Sequence, residues 1–256
     1  MSLTFTKGKG SVPIAKYGKK LLYLHKEDSD SEEQHDAIHV PTGKGKFELV
    51  CSHDAKHRKI WYISGVAGSG KSYCAKQIIE DYIAEHPDGE VYLISKLSKD
   101  NTLDSIKPPP VRINIDKLVE NPPKDLSKFC DTLFVFDDFE GYEPKQLKVV
   151  EQLIKDIAIE GRHHRISMIY ITHYLTNYAK SRLILKEAHF FVIFPENEGE
   201  YAYLTFMKNH MGFSEDESLS LRERAGKYWV CLHRHAPRFV LTESEAWLIK
   251  HSKTKH

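Results

Sequence analysis

Residues 65–72 read Gly-Val-Ala-Gly-Ser-Gly-Lys-Ser and fit the pattern G-x-x-x-x-G-K-[ST] at every position. The flanks make this a strong constraint. Ile60-Trp-Tyr-Ile63 is a short apolar run of the kind that forms a buried strand, and helical spacing follows through Ala75, Ile78, Ile79, Tyr82 and Ile83. A strand, a glycine-rich turn and a helix in that order aim backbone N–H groups and the positive end of a helix at one point. Glycines at 65, 68 and 70 let phosphate oxygens approach the backbone closely. Lys71 brings a full charge to the β- and γ-phosphates, and the Ser72 hydroxyl suits Mg²⁺. The candidate nucleotide-binding residues are thus Gly65, Val66, Ala67, Gly68, Ser69, Gly70, Lys71, Ser72 and Tyr73, with ATP and Mg²⁺ as the expected cofactors. The Gly-Lys pairs nearer the N-terminus are decoys, because each is followed by Gly and neither follows an apolar strand.

Such a loop needs an acidic partner at the end of a neighbouring strand, to hold the metal's water shell. Leu133-Phe-Val-Phe-Asp137-Asp138 supplies it: Asp137 suits the metal and Asp138 suits polarisation of the attacking water. The rival is Asp116, after Val111-Arg-Ile-Asn-Ile, whose polar–apolar alternation reads as an edge strand rather than a buried one.

Further apolar runs occur at 91–94, 166–171 and 190–194, separated by helical patterns of which 144–160 is the clearest. Runs apolar on both faces with helices between them predict an α/β fold, a doubly wound and mostly parallel sheet. Residues 1–45 are expected to be a partly mobile N-terminal extension around the acidic run 27–33, residues 46–197 the nucleotide-binding core, and residues 198–256 two helices, a β-hairpin and a short final helix packed on it.

Composition narrows the setting. A net charge of +1 leaves nucleic-acid binding to local patches. Four scattered cysteines, none in a C-x-x-C pair, argue against a zinc site and for a reducing compartment. No run of 18 apolar residues and no apolar leader occurs, so a cytoplasmic chain without a membrane segment is expected.

The stretch Glu160-Gly-Arg162-His163-His164-Arg165-Ile-Ser-Met-Ile-Tyr-Ile-Thr172-His173 places a polar pair at a strand end, where His173 is a candidate γ-phosphate sensor. Arginines just before such a strand can reach a neighbouring subunit's nucleotide as a finger; Arg162 is the first choice and Arg165 the second.

These residues resemble a family. The Gly65–Ser72 loop, Phe136-Asp-Asp138, and above all Gly-Arg-His followed by Ile-Ser-Met-Ile-Tyr-Ile-Thr-His are similar to the poxvirus-type genome-packaging ATPases of large DNA viruses, within the FtsK/HerA translocase superfamily of P-loop NTPases. The likeness covers roughly residues 47–195. In the wider superfamily a Gln commonly stands where His173 does, and an arginine finger sits at a spacing that matches Arg162. The resemblance implies an ATPase that forms a homo-oligomeric ring, a pentamer or hexamer. It further implies double-stranded DNA and capsid proteins as partners, in host cytoplasm or virion.

Two other classes compete. A small-molecule kinase needs an arginine-bearing lid, for which Arg222 and Arg224 are the available pair; a regulatory ATPase would bind nucleotide without moving DNA. Asp138-Phe-Glu-Gly141 fits the D-x-x-G of GTPases, but no N-K-x-D accompanies it. Lys227–Arg238 mixes basic and aromatic residues, either as a DNA-facing loop or as an exposed turn on a packed hairpin.

Overall fold

The computed structural model describes residues 1–25, 35–41, 43–51, 58–176 and 178–249. Along the chain run β1 (Ser2–Thr4), β2 (Val12–Tyr17), β3 (Lys20–His25), β4 (Ala37–His39), β5 (Phe47–Leu49) and β6 (Ile60–Ser64). Next come α1 (Lys71–Glu85), β7 (Val91–Ser95), β8 (Val111–Arg112), α2 (Ile115–Glu120), β9 (Leu133–Asp137) and α3 (Pro144–Glu160). They are followed by β10 (Ser167–Thr172), α4 (Tyr178–Glu187), β11 (Phe190–Ile193), α5 (Glu200–Phe206) and α6 (Glu215–Ala225). The chain ends in β12 (Val230–His233), β13 (Phe239–Thr242) and β14 (Glu245–Leu248).

Among the described residues the strands form two sheets. The larger has the order β4-β14-β13-β12-β11-β6-β10-β9-β7-β8. From β11 to β8 its neighbours are parallel, and from β11 back to β4 they are antiparallel. β6 and β9 are buried at every position, as strands covered on both faces must be. Side chains alternate between two cores. Trp61 and Ile63 join Ile78 and Ile79 of α1 and Phe47 of the small sheet, while Ile60 and Tyr62 join Phe134, Phe136 and Ile154 on the α3 side. The fold is doubly wound α/β.

Several expectations need correction. Residues 1–45 are not merely an extension: β1, β2 and β3 form the four-stranded sheet β1-β3-β2-β5, and β4 pairs with β14 at the edge of the large one. The acidic run 27–33 lies outside the described residues. The C-terminal hairpin β12–β13 is joined to the core as part of the large sheet, since β12 pairs with β11. The expected final helix is strand β14: an open edge on β13 offers its backbone a ladder, and Ala246 packs to complete burial there. The edge strand expected over 111–116 stops at Arg112, because the Asn114 side chain accepts the Lys117 N–H and caps α2.

Candidate nucleotide site

The loop expected to hold phosphates leaves the end of β6 and enters α1. Gly70 precedes the first helical residue with φ +108°, a conformation that strains any residue bearing a Cβ. At Gly65 the constraint is space: a Cβ would lie 2.5 Å from Ser69 Oγ and 2.8 Å from Phe194 Cδ2. The Gly65 N–H donates to the Thr172 carbonyl at 3.3 Å, which ties the loop to the end of β10.

Lys71 is buried, and its ammonium donates to the carbonyls of Gly65 at 2.7 Å and Val66 at 3.1 Å. His173 Nδ1 lies 3.4 Å from the same nitrogen. Burial lowers the Lys71 pKa, and the carboxylates of Asp138, Asp137, Glu140 and Glu198 act against that shift. Ser72 follows Lys71 on the first turn of α1, and Tyr73 is exposed beneath the Lys46 ammonium, 5.2 Å from its ring centre.

Asp137 ends β9 and is 3% exposed. Burial, then the nearby Asp138 and Asp100, push its carboxyl up to about 7. The buried carboxylate and the Ser72 hydroxyl are hard oxygen donors, the chemistry Mg²⁺ selects, and a divalent cation is what would hold Asp137 ionised at neutral pH. The residues fit the ion. One detail differs from expectation: β9 is not beside β6, because β10 lies between them. The two acids therefore reach the loop past the end of β10.

Asp138 has φ +49°, so the chain reverses directly after β9 and begins the 3₁₀ turn Phe139–Gly141. Its Oδ1 lies 2.8 Å from His173 Nε2. Lys71, Asp137, Asp138 and His173 are thus brought together with the glycine loop. Asp116 is not, being on α2, where it accepts from Gln146 Nε2 at 3.0 Å.

Arg162 is exposed in the 3₁₀ turn Gly161–His164, before β10, whereas His173 follows that strand. The six residues of β10 span about 20 Å. The structure does not join Arg162 to its own chain's glycine loop. Arg165 makes a two-point ion pair with Asp131 and is committed there. Beneath the turn Arg58, 7% exposed, donates to the carbonyls of Ile157 and Ala158 and so fastens the end of α3.

The arrangement matches known proteins as follows. No protein-family model matches the chain. Over 250 residues it is 30% identical to "Uncharacterized protein V3" of Sputnik virophage, covering 93% of this chain and 96% of that one. The chain belongs to the family of this virophage protein. Its likeness to two solved structures of the genome packaging NTPase B204 from Sulfolobus turreted icosahedral virus 2 concerns the fold. The complex with sulfate has a TM-score of 0.50 at 14% identity, covering 72% of this chain and 94% of that one. The complex with ATP-gammaS has a TM-score of 0.50 at 14% identity, covering 73% and 97%. The V3-family chain therefore has the P-loop NTPase fold expected of it, and the solved neighbours come from a viral genome-packaging protein.

Two acidic residues near the loop escaped the sequence reading of this V3-family member. Glu140, from the turn after Asp138, accepts the Thr172 hydroxyl at 2.9 Å. The other is Glu198, which follows the C-terminal end of β11 and whose charge interacts with that of Lys71. That ligands gather at the C-terminal ends of parallel strands is the signal that could have found Glu198.

Proposed function

We propose that this chain is an ATP-hydrolysing translocase that moves double-stranded DNA into a viral capsid, working as a homo-oligomeric ring of five or six subunits. The observation that carries the reading is the polarity of β10: its C-terminal end bears His173 beside Lys71 and Asp138, and its N-terminal end bears Arg162, beyond reach of the same site. Membership of a virophage protein family and the fold of a genome packaging NTPase support it.

In this reading Gly65–Ser72 and Lys71 hold the phosphates of ATP, with Tyr73 at the edge of the nucleotide, and Ser72 and Asp137 hold Mg²⁺. The ion, when bound, offsets charge on the β- and γ-phosphates. Asp138 orients and polarises the attacking water, and His173 hydrogen-bonds to it or to the γ-phosphate. Arg162 enters the neighbouring subunit's site as a finger.

The kinase reading receives less support: Arg222 donates to the Glu198 carbonyl at 3.0 Å, and Arg224 pairs with Glu245 and stacks on Trp247. The basic hairpin carries no DNA argument either, since Arg234 and Arg238 are engaged on the carbonyls of Lys186 and Met211. Among the described residues no helix is long and apolar enough to cross a membrane. The test is ATP hydrolysis with and without double-stranded DNA, alongside mass in solution. The reading expects hydrolysis that DNA stimulates, confined to an assembled species. A fully active monomer indifferent to DNA would overturn both ring and translocation.

A further inference from the structure

Thr172 occupies a junction that the nucleotide reading does not use. Its carbonyl accepts the Gly65 N–H at 3.3 Å, at the entry to the glycine loop. Its hydroxyl donates to Glu140 Oε1 at 2.9 Å, in the turn that follows Asp137 and Asp138, and accepts the Tyr174 N–H at 3.2 Å. The Tyr174 carbonyl in turn accepts the Tyr62 hydroxyl at 2.7 Å, reaching back to β6. The backbone is thereby held on both sides of His173, while the His173 ring touches Lys71 and Asp138.

We propose that Glu140 and Thr172 are positioning residues of the hydrolytic site: their hydrogen bond joins the end of β9 to the end of β10 and sets the angle at which His173 meets Asp138. The inference rests on the ATPase reading above. Thr172 is buried, so its hydroxyl needs partners, and it finds Glu140 in the turn after Asp138 and the Tyr174 N–H on the far side of His173. Glu140 Oε2 is buried without a partner among the described residues, a costly placement that packing alone does not account for. A residue placed only to cap the turn would not need a carboxylate there. Glu140 acts through Thr172, and it is not assigned a contact with ATP or water.

Four variants test the pair: Thr172→Val and Glu140→Ala remove the bond, while Thr172→Ser and Glu140→Gln keep a hydroxyl donor and an oxygen acceptor. The expected result is a fall in kcat by about tenfold or more for the first two with nucleotide Kd and Tm near wild type, and recovery of most of that loss in the second two. The ¹⁵N signals of the His173 imidazole, assigned with His173→Gln, should show one tautomer in wild type and exchange between both in Thr172→Val.

Wild-type kcat and an unchanged imidazole signal in Thr172→Val overturn the proposal. So does a Glu140→Gln variant as inactive as Glu140→Ala, which would make the carboxylate itself chemical. So does loss of Tm and nucleotide affinity together, which marks a merely structural bond. If wild type is no faster than Lys71→Ala, the ATPase reading fails instead, and the imidazole spectra alone decide whether the tie exists.

Discussion

His173 and Asp138 meet at 2.8 Å between Nε2 and Oδ1, and the direction of that hydrogen bond is set by a third residue. The Lys71 ammonium can only donate, so the Nδ1 facing it at 3.4 Å accepts. Nε2 therefore carries the proton and donates to Asp138. His173 and Asp138 are one hydrogen-bonded unit, with Lys71 fixing the tautomer.

A glutamine at position 173 should do much of this work, since its amide both accepts and donates. His173→Gln is expected to keep turnover within about tenfold of wild type, and His173→Ala to lose about 10²-fold or more, the scale of a misplaced acid–base group. Steady-state kinetics on both variants checks this. Equal activity in all three would remove His173 from the site.

Asp137 trades stability against function. Its carboxyl titrates at about 7 in the folded chain, well above the unfolded value of about 4. The folded state therefore holds a proton that the unfolded state has released between those values, and the nucleotide-free chain loses stability as pH rises through that window. Asp137→Asn should melt higher than wild type at about pH 8, with a smaller gain at about pH 5, while hydrolysing no ATP at either. Thermal unfolding without nucleotide checks the sign; a variant less stable than wild type at the higher pH refutes the buried-charge account.

Arg162→Ala should bind ATP as wild type does and lose about 10³-fold or more in turnover. Mixed with Lys71→Ala, it should regain partial activity, because some junctions then pair an intact glycine loop with an intact finger. No recovery at any ratio would mean that the arginine acts within its own chain or only in structure. Arg165→Ala is the contrast: its partner is Asp131, so turnover should stay near that of wild type.

Gly65→Ala tests the packing of the loop. The new methyl would meet Ser69 and Phe194, and overpacking of this kind costs about 1–3 kcal/mol. Since Ser69 belongs to the same loop, the expected outcome is a fall in ATP affinity of about tenfold or more, read by calorimetric titration. Unchanged affinity would show that Phe194 yields and the loop does not.

The sequence by itself determined what short-range chemistry determines. Gly65 to Ser72 required one loop geometry, and the apolar runs at 60–63, 91–94, 133–136, 166–171 and 190–194 became buried strands with helices between them. The glycine loop, Asp137, Asp138 and His173 were legible as candidates because each sits at a strand end whose pattern is local, and the fold brings them together. The rest was decided by pairing between distant segments. That β10 lies between β6 and β9 places His173 against Lys71 and leaves Arg162 at the far end, and no local pattern states strand order. Glu140 and Glu198 joined the site for the same reason: carboxylates in turns carry no signal until the sheet brings the strand ends together. The N-terminal strands and β14 were missed because their runs are short and partly polar, and only a partner strand supplies the hydrogen bonds that make them strands.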